Sequence, residues 1–119
     1  MGDRAVITFK SGNSYSPGVY LHHNGGKVAD WLKEAAPLLR RGDDSYAAAR
    51  FVGFCHSKIR GVTGLGLIDG PTPEEIKNLK LYSPGDAGAF VVDIDSGEVR
   101  TGGGYGEPFQ IDPNLFSED

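Results

Sequence analysis

Asp43-Asp44-Ser45-Tyr46-Ala47-Ala48-Ala49-Arg50-Phe51-Val52-Gly53-Phe54-Cys55 reads as a helix, and what flanks it decides the fold class. Asp or Ser at the start can accept the free backbone N–H groups of a first turn, and the two acids favour the positive end of the helix dipole. Ala48, Val52, Cys55 and Ile59 recur at i, i+4, i+7 and i+11, and Ala47, Phe51 and Phe54 widen that stripe. The spacing predicts a broadly buried helix, closed by Gly61, whose Ala47-Ala48-Ala49 run admits a close neighbour. Upstream, Lys27 to Ala36 reads as a second helix, with Val28, Leu32, Ala35 and Leu39 on one side and Trp31 beside them. Pro37 clashes with the preceding turn, so an end or kink is expected near Ala36. Arg40-Arg41-Gly42 closes that segment. Two helices follow one another with no strand between them.

Strands lie outside this pair. Ala5-Val6-Ile7-Thr8-Phe9-Lys10 and Val19-Tyr20-Leu21-His22-His23 are β-rich, and the turn formers between them predict an antiparallel hairpin with a long loop. Asn24-Gly25-Gly26 stops the second strand. After the helices, Thr63 to Ile68 reads as a short strand weakened by Gly64 and Gly66. Thr72-Pro73-Glu74-Glu75 has the form of a capping box, with a short helix to about Leu79. Ser83-Pro84-Gly85-Asp86 reads as a turn. Ala89 to Asp95 is the clearest strand, with Phe90, Val92 and Ile94 on one face, and Glu98 to Thr101 returns after Ser96-Gly97.

The order strand, strand, helix, helix, strand, short helix, strand, strand lacks βα alternation. It predicts an α+β fold, an antiparallel sheet of four to five strands with two main helices packed on one face. Residues 1–106 form the single α+β domain in this reading, and 107–119 an acidic C-terminal tail. Ile7, Phe9, Val19, Leu21, Phe90, Val92 and Ile94 then face the helices. Thr8, Lys10, Tyr20, His22, Asp93 and Asp95 form a polar face open to water, with Tyr20 as its flat anchor.

The chain has 119 residues, enough for one domain, and a net charge of −4. The charge is divided. Residues 1–60 hold nine Lys/Arg and five Asp/Glu, a balance of +4, while residues 61–119 hold three and eleven, a balance of −8. An acidic half makes a poor ligand for nucleic acid and a fair one for a protein that itself binds nucleic acid. The longest apolar run, Ala89 to Val92, is far short of the roughly 20 residues a membrane helix needs. The start, Met1-Gly2-Asp3-Arg4, is followed by no apolar secretory stretch, and Cys55 is the lone cysteine, so a cytoplasmic setting without disulfides is expected.

Few residues invite chemistry. His22 and His23 are adjacent on a strand and point to opposite faces, and with Cys55 and His56 they match no common zinc spacing. Cys55 sits on an apolar stripe, where a thiol is inert packing, and His56 points about 100° away from it. Asp93 and Asp95 share a strand face, without a third acid to complete a divalent site. Gly102 to Gly106 precedes no helix pattern and is no dinucleotide fingerprint, and Arg41-Gly42-Asp43 reads as a chance match to an adhesion motif. His22, His23, Asn24, Gly25, Gly26 and Lys27 lead into a helix and resemble a crude anion cradle, so a nucleotide or anion at this Tyr20–Lys27 corner is the alternative binding site. No catalytic residue, metal or cofactor is assigned.

Four segments carry a resemblance: Arg4-Ala5-Val6-Ile7-Thr8-Phe9, Val19-Tyr20-Leu21-His22-His23-Asn24-Gly25-Gly26, Gly42-Asp43-Asp44-Ser45-Tyr46-Ala47-Ala48-Ala49-Arg50 and Gly85-Asp86-Ala87-Gly88. In that order and spacing, over roughly residues 4–95, the chain resembles a group of small proteins carried by bacteriophages and other mobile elements. That group often has tryptophan in place of His23 and asparagine in place of Ala87. The resemblance implies a genomic setting in which small acidic proteins, anti-CRISPR proteins among them, bind and block host defence complexes. The expected partner is then a host defence protein or ribonucleoprotein, met through an acidic surface by a protein that is not an enzyme. The expected contacts are Asp86, Asp93, Asp95, Glu98, Glu107 and Asp112, with Tyr20 beside them.

Overall fold

Ala5 to Phe9 are buried without interruption. A strand that alternates polar and apolar residues fits a half-wet sheet, whereas one buried on both sides belongs at a sheet's centre. The computed structural model, which describes residues 2–59, 64–82 and 85–118, builds the sheet around this strand. β1 (Ala5–Ser11) runs antiparallel to β3 (Gly18–Leu21), with Ile7 opposite Val19, and parallel to β5 (Gly88–Asp93), with Ile7 opposite Phe90. The long hairpin loop between β1 and β3 carries β2 (Ser14–Tyr15), which folds back on Lys10 and Ser11. β4 (Leu65–Ile68) lies outside β3. β6 (Glu98–Gly102) and β7 (Phe109–Gln110) continue outward from β5 as an antiparallel meander.

The fold is α+β, as the order of elements predicts, but the sheet is mixed and has seven strands rather than four or five antiparallel ones. The difference lies in where the chain goes after β4. It leaves one edge of the sheet, crosses the face away from the long helices, and enters β5 on the free side of β1 in the same direction. Period-2 alternation is identical for parallel and antiparallel neighbours, so the pattern of Phe90, Val92 and Ile94 carries no direction.

The helices follow their local signals. α1 (Val28–Ala35) is preceded by a 3₁₀ turn at Gly25–Lys27 and tightens into another at Ala36–Leu38, where Pro37 cannot continue the α-helical pattern. α2 (Asp44–Lys58) starts on Asp43, whose Oδ1 accepts the Tyr46 N–H at 3.0 Å. It stops before Ile59; the expected stop at Gly61, the strand start at Thr63 and the turn at Ser83-Pro84 fall outside the described residues. Both long helices pack on one face. Val28, Leu32 and Ala35 of α1 and Ala47, Phe51 and Cys55 of α2 share a core with Ile7, Phe9, Leu21, Phe90 and Val92. The Phe9 and Phe51 rings meet edge to face at 5.6 Å.

The other face is not open to water. Residues 70–82 lie across it. α3 (Pro73–Lys77) forms the expected capping box: Thr72 Oγ1 accepts the Glu75 N–H, and Glu75 Oε1 accepts the Thr72 N–H. Ile76, and Leu79 from the 3₁₀ turn that follows, close over Val91. The guanidinium of Arg100 donates to the Ile76 carbonyl at 2.7 Å. Leu79 approaches so nearly that a Cβ on Gly102 would stand 2.5 Å from Leu79 Cβ, so no larger residue fits there. Thr8, expected on a wet face, is 1% exposed and its Oγ1 has no hydrogen-bond partner among the described residues. Lys10, Tyr20, His22 and Asp93 are half-buried, and Asp95 is exposed.

The segment after Gly106 is likewise part of the domain. Ile111 and Phe116 enter the same core as the long helices. Ser117 exchanges backbone hydrogen bonds with Leu39 and Arg41, both 2.8 Å. Arg41 donates to the Pro113 carbonyl and stands 3.9 Å from Glu118. Arg41 and Asp43 thus serve the fold, one holding the C-terminal segment and one capping α2.

Two substitutions separate a covered second face from a wet one. Leu79→Ala is expected to lower the unfolding free energy in urea by about 2–5 kcal/mol, the range for a buried leucine, against under about 0.5 kcal/mol for a surface residue. Thr8→Val, which removes an unpartnered buried hydroxyl and keeps the shape, is expected to raise stability by about 1 kcal/mol.

Candidate functional site

The candidate residues divide between the two ends of the sheet. At the end where β5 turns into β6, the chain gathers carboxylates. Asp93 Oδ1 accepts the N–H groups of Asp95 and Ser96, at 2.9 and 3.1 Å, and Oδ2 lies 3.3 Å from Lys10 Nζ. Burial pushes the Asp93 carboxyl up, but those two N–H donors and the Lys10 ammonium outweigh it and leave it below 3.8. Its stabilising contribution is therefore present above that value and is lost as pH falls through the depressed one. Asp95 accepts from the Gly12 N–H at 3.0 Å and from Ser11 Oγ at 3.2 Å, tying this turn to the end of β1.

The C-terminal segment joins the same end. Gln110 Nε2 donates to the Ser96 carbonyl at 2.7 Å, and the Ile111 N–H donates to Gly97 at 2.8 Å. Glu98 lies opposite Gln110 in the β6–β7 register. Asp112, two residues on, accepts the Asn114 N–H at 3.0 Å and starts the last 3₁₀ turn. Asp95, Glu98 and Asp112 are exposed around this turn, with Asp93 beneath them. Asp93 and Asp95 spend their oxygens on backbone N–H groups and on the side chains of Lys10 and Ser11. Among the described residues no three His, Cys, Asp or Glu side chains form a metal-binding group.

Asp86 and Glu107 lie at the opposite end, where β1 and β5 begin. The Gly106 N–H donates to the Ala87 carbonyl at 2.9 Å, which holds Glu107 there. Asp86 has φ +51, a left-handed conformation uncommon for a residue with a Cβ. Arg4 accounts for it: its backbone N–H and its Nε both donate to Asp86 Oδ2, at 2.9 and 3.1 Å. The Arg4 N–H, then its side chain, hold the Asp86 carboxyl below 3.8.

The Tyr20–Lys27 corner occupies the same end and is filled from within the chain. Asp3 sits on the two glycines. Its carbonyl accepts the Gly25 N–H and its Oδ2 accepts the Gly26 N–H, both at 2.8 Å. The carboxylate of Asp3 thus takes the place expected for a bound anion. Gly25 is packed so closely that an added Cβ would meet Asp3 O and Ala87 Cβ, each at 2.7 Å. Tyr105 completes the latch, its Oη donating to Asp3 Oδ1 at 2.7 Å. Tyr20 Oη and His22 Nδ1 share a hydrogen bond of 2.6 Å; β3 ends at Leu21, so His22 and His23 do not point to opposite faces as expected, and their rings meet edge-on at 4.5 Å. The Asn24 carbonyl accepts the Lys27 N–H, and Lys27 itself is exposed. Asp3 and Tyr105 escape a reading by motif, because 23 and 102 residues separate the partners of their hydrogen bonds.

Cys55 is buried in α2, and burial pushes its thiol up to about 12. It is protonated at neutral pH and serves as packing. On the outer side of α2, the guanidiniums of Arg40 and Arg50 stand over the exposed Tyr46 ring at 5.2 and 4.4 Å. Among the described residues no helix is long and apolar enough to cross a membrane.

The chain matches no protein-family model, no curated protein and no solved structure.

The Asp3 latch has a titration signature. Its hydrogen bond to Asp3, then desolvation and the neighbouring negative charge, push the Tyr105 phenol up to about 12. A raised phenol stabilises the fold below its ordinary value of 10.0 and ceases to do so as pH climbs through about 12. An ultraviolet tyrosinate titration of folded protein is expected to lose a late-ionising phenol in Tyr105→Phe. Asp3→Ala, which strips Gly26 and Tyr105 of their acceptor, is expected to cost about 1–3 kcal/mol in urea unfolding.

Proposed function

We propose that this protein works by binding, as an inhibitor of a bacterial defence complex of the anti-CRISPR kind, in the cytoplasm of an infected host. The setting comes from the resemblance to bacteriophage and mobile-element proteins. The single observation that supports a contact surface is the acidic turn. Asp95, Glu98 and Asp112 stand exposed on backbone that Gln110, Ile111, Ser11 and Gly12 tie down. Charges fixed in advance lose little freedom on binding. A cluster of one sign steers an oppositely charged partner into register and speeds its approach.

The partner this suits carries a lysine- and arginine-lined surface, such as the channel in which a defence ribonucleoprotein holds nucleic acid. Occupying that channel blocks it with no bond made or broken. The expected contact set narrows accordingly. Asp95, Glu98 and Asp112 lead, with Asp93 supporting the turn. Asp86 is engaged by Arg4, and Tyr20 by His22. The alternative, a nucleotide or anion at Asn24 to Lys27, competes with Asp3 for the Gly26 N–H.

The test is a double variant, Glu98→Lys with Asp112→Asn, in which Asn keeps the turn-starting acceptor. Inhibition of the defence complex is expected to fall about tenfold or more, with a shallower dependence on salt, while the melting temperature stays near that of the parent. Unchanged inhibition and unchanged salt dependence would remove the acidic turn as the contact.

A further inference from the structure

β4 is an open edge. Among the described residues nothing pairs with its outer side in the sheet order, and Leu67 and Ile68 are 60% and 41% exposed. Its sequence is Leu-Gly-Leu-Ile, without lysine or proline. Proteins blunt an exposed edge with charge, proline, a bulge or brevity, because its free N–H and C=O groups invite another strand. The opposite edge is blunted: β7 has two residues, with Pro108 before it and Pro113 after. β4 has no such defence beyond being short.

Beside β4 runs an apolar groove of about 420 Å³, with Leu67 on one wall and Pro17, Ala48, Ala49 and Val52 among the others. The helix wall is built from small residues, and Gly53, one turn beyond Ala49, has open space where a Cβ would stand.

We infer that a second copy of this chain occupies this edge, its β4 pairing antiparallel with the first about a two-fold axis at Leu67. Leu65 and Leu67 lie opposite Leu21 and Val19 and share the α2 side of the sheet, whereas Gly66 and Ile68 lie on the other. A two-fold pairing that keeps like faces together leaves two central registers. One sets Gly66 against Gly66 and leaves Ile68 past the end of the facing strand. The other sets Leu67 against Leu67 over the two grooves and Ile68 against Gly66, a large side chain over an open position. Cross-strand pairs of this second kind are what stabilise a sheet.

The charges agree with the antiparallel sense. Asp69, just past β4, is exposed; its carbonyl accepts from Tyr82 Oη at 3.2 Å, and its carboxylate charge acts on that same phenol. At the other end of the strand His23 is exposed, its ring 3.4 Å from where a Gly64 Cβ would be. The two-fold carries Asp69 of each copy towards His23 of the other, a carboxylate towards an imidazole N–H. It also brings the two α2 helices side by side on one face, where Ala49 and Gly53 permit close approach. That contact extends the interface beyond a four-residue strand, towards the roughly 800 Å² per partner of a stable dimer. The pairing does not involve the acidic turn, so it stands or falls separately from the proposed inhibition.

The test is sedimentation equilibrium of the whole chain from about 1 µM to about 500 µM, the range in which weak self-association shows. The mass is expected to rise from 12.7 kDa towards twice that value. Leu67→Lys is expected to weaken association at least about tenfold without lowering the melting temperature. Leu67→Cys is expected to form a disulfide-linked dimer on mild oxidation, with Cys55 buried and silent. A chain that stays at 12.7 kDa throughout, leaving the edge to an extended segment of some other protein, overturns the inference. So does association that Leu67→Lys leaves intact, or a mass increase with no cross-link through Leu67→Cys.

Discussion

Strand β1 is buried from both sides, and that requirement shapes the rest of the molecule. Ala5, Ile7 and Phe9 need a cover on one face, and α1 and α2 supply it. Val6 and Thr8 need a cover on the other, and the segment after β4 crosses there. A parallel neighbour on the free side of β1 follows, because a chain returning across a face re-enters the sheet in the direction it left. Its partner β5 is apolar on both sides for the same reason: Phe90 and Val92 meet the long helices, and Val91 meets Ile76 and Leu79.

Local chemistry made some elements legible and left others hidden. Asp43, Thr72 with Glu75, and Pro37 act within four residues of themselves, so the starts of α2 and α3 and the end of α1 could be read from spacing alone. Phe90, Val92 and Ile94 announced a strand, but not which strand would lie beside it or in which sense. Thr8 read as a wet position because it is polar and alternates with Ile7 and Phe9. Gly70, from the segment that crosses this face, is folded close over it. The acidic count after Gly106 concealed Ile111 and Phe116, the two residues that bind that segment to the core.

The candidate site shows the same division. That carboxylates crowd the second half of the chain is plain from composition. That Asp95, Glu98 and Asp112 stand together, while Asp86 and Glu107 lie at the far end, depends on the β6–β7 register. The Gly25-Gly26 corner did look like an anion cradle, and it does hold an anion. Asp3 provides it from the chain itself, a pairing that no local pattern encodes because β1, β2 and β3 lie between Asp3 and Gly26 in the chain. The proposed contacts are the acidic turn at one end of the sheet and the apolar edge at β4. Both proposals rely on the rigidity of the sheet between them.

Native-state hydrogen exchange tests that rigidity most directly. If both faces are closed over β1, the amides of Ala5 to Phe9 and of Phe90 to Val92 exchange only through global unfolding, with protection equal to the full unfolding free energy. Stability of β1 and β5 amides falling several kcal/mol short of that value, with residues 70–82 opening as a separate unit, would mean that the second face is loosely covered and that the sheet is no fixed platform.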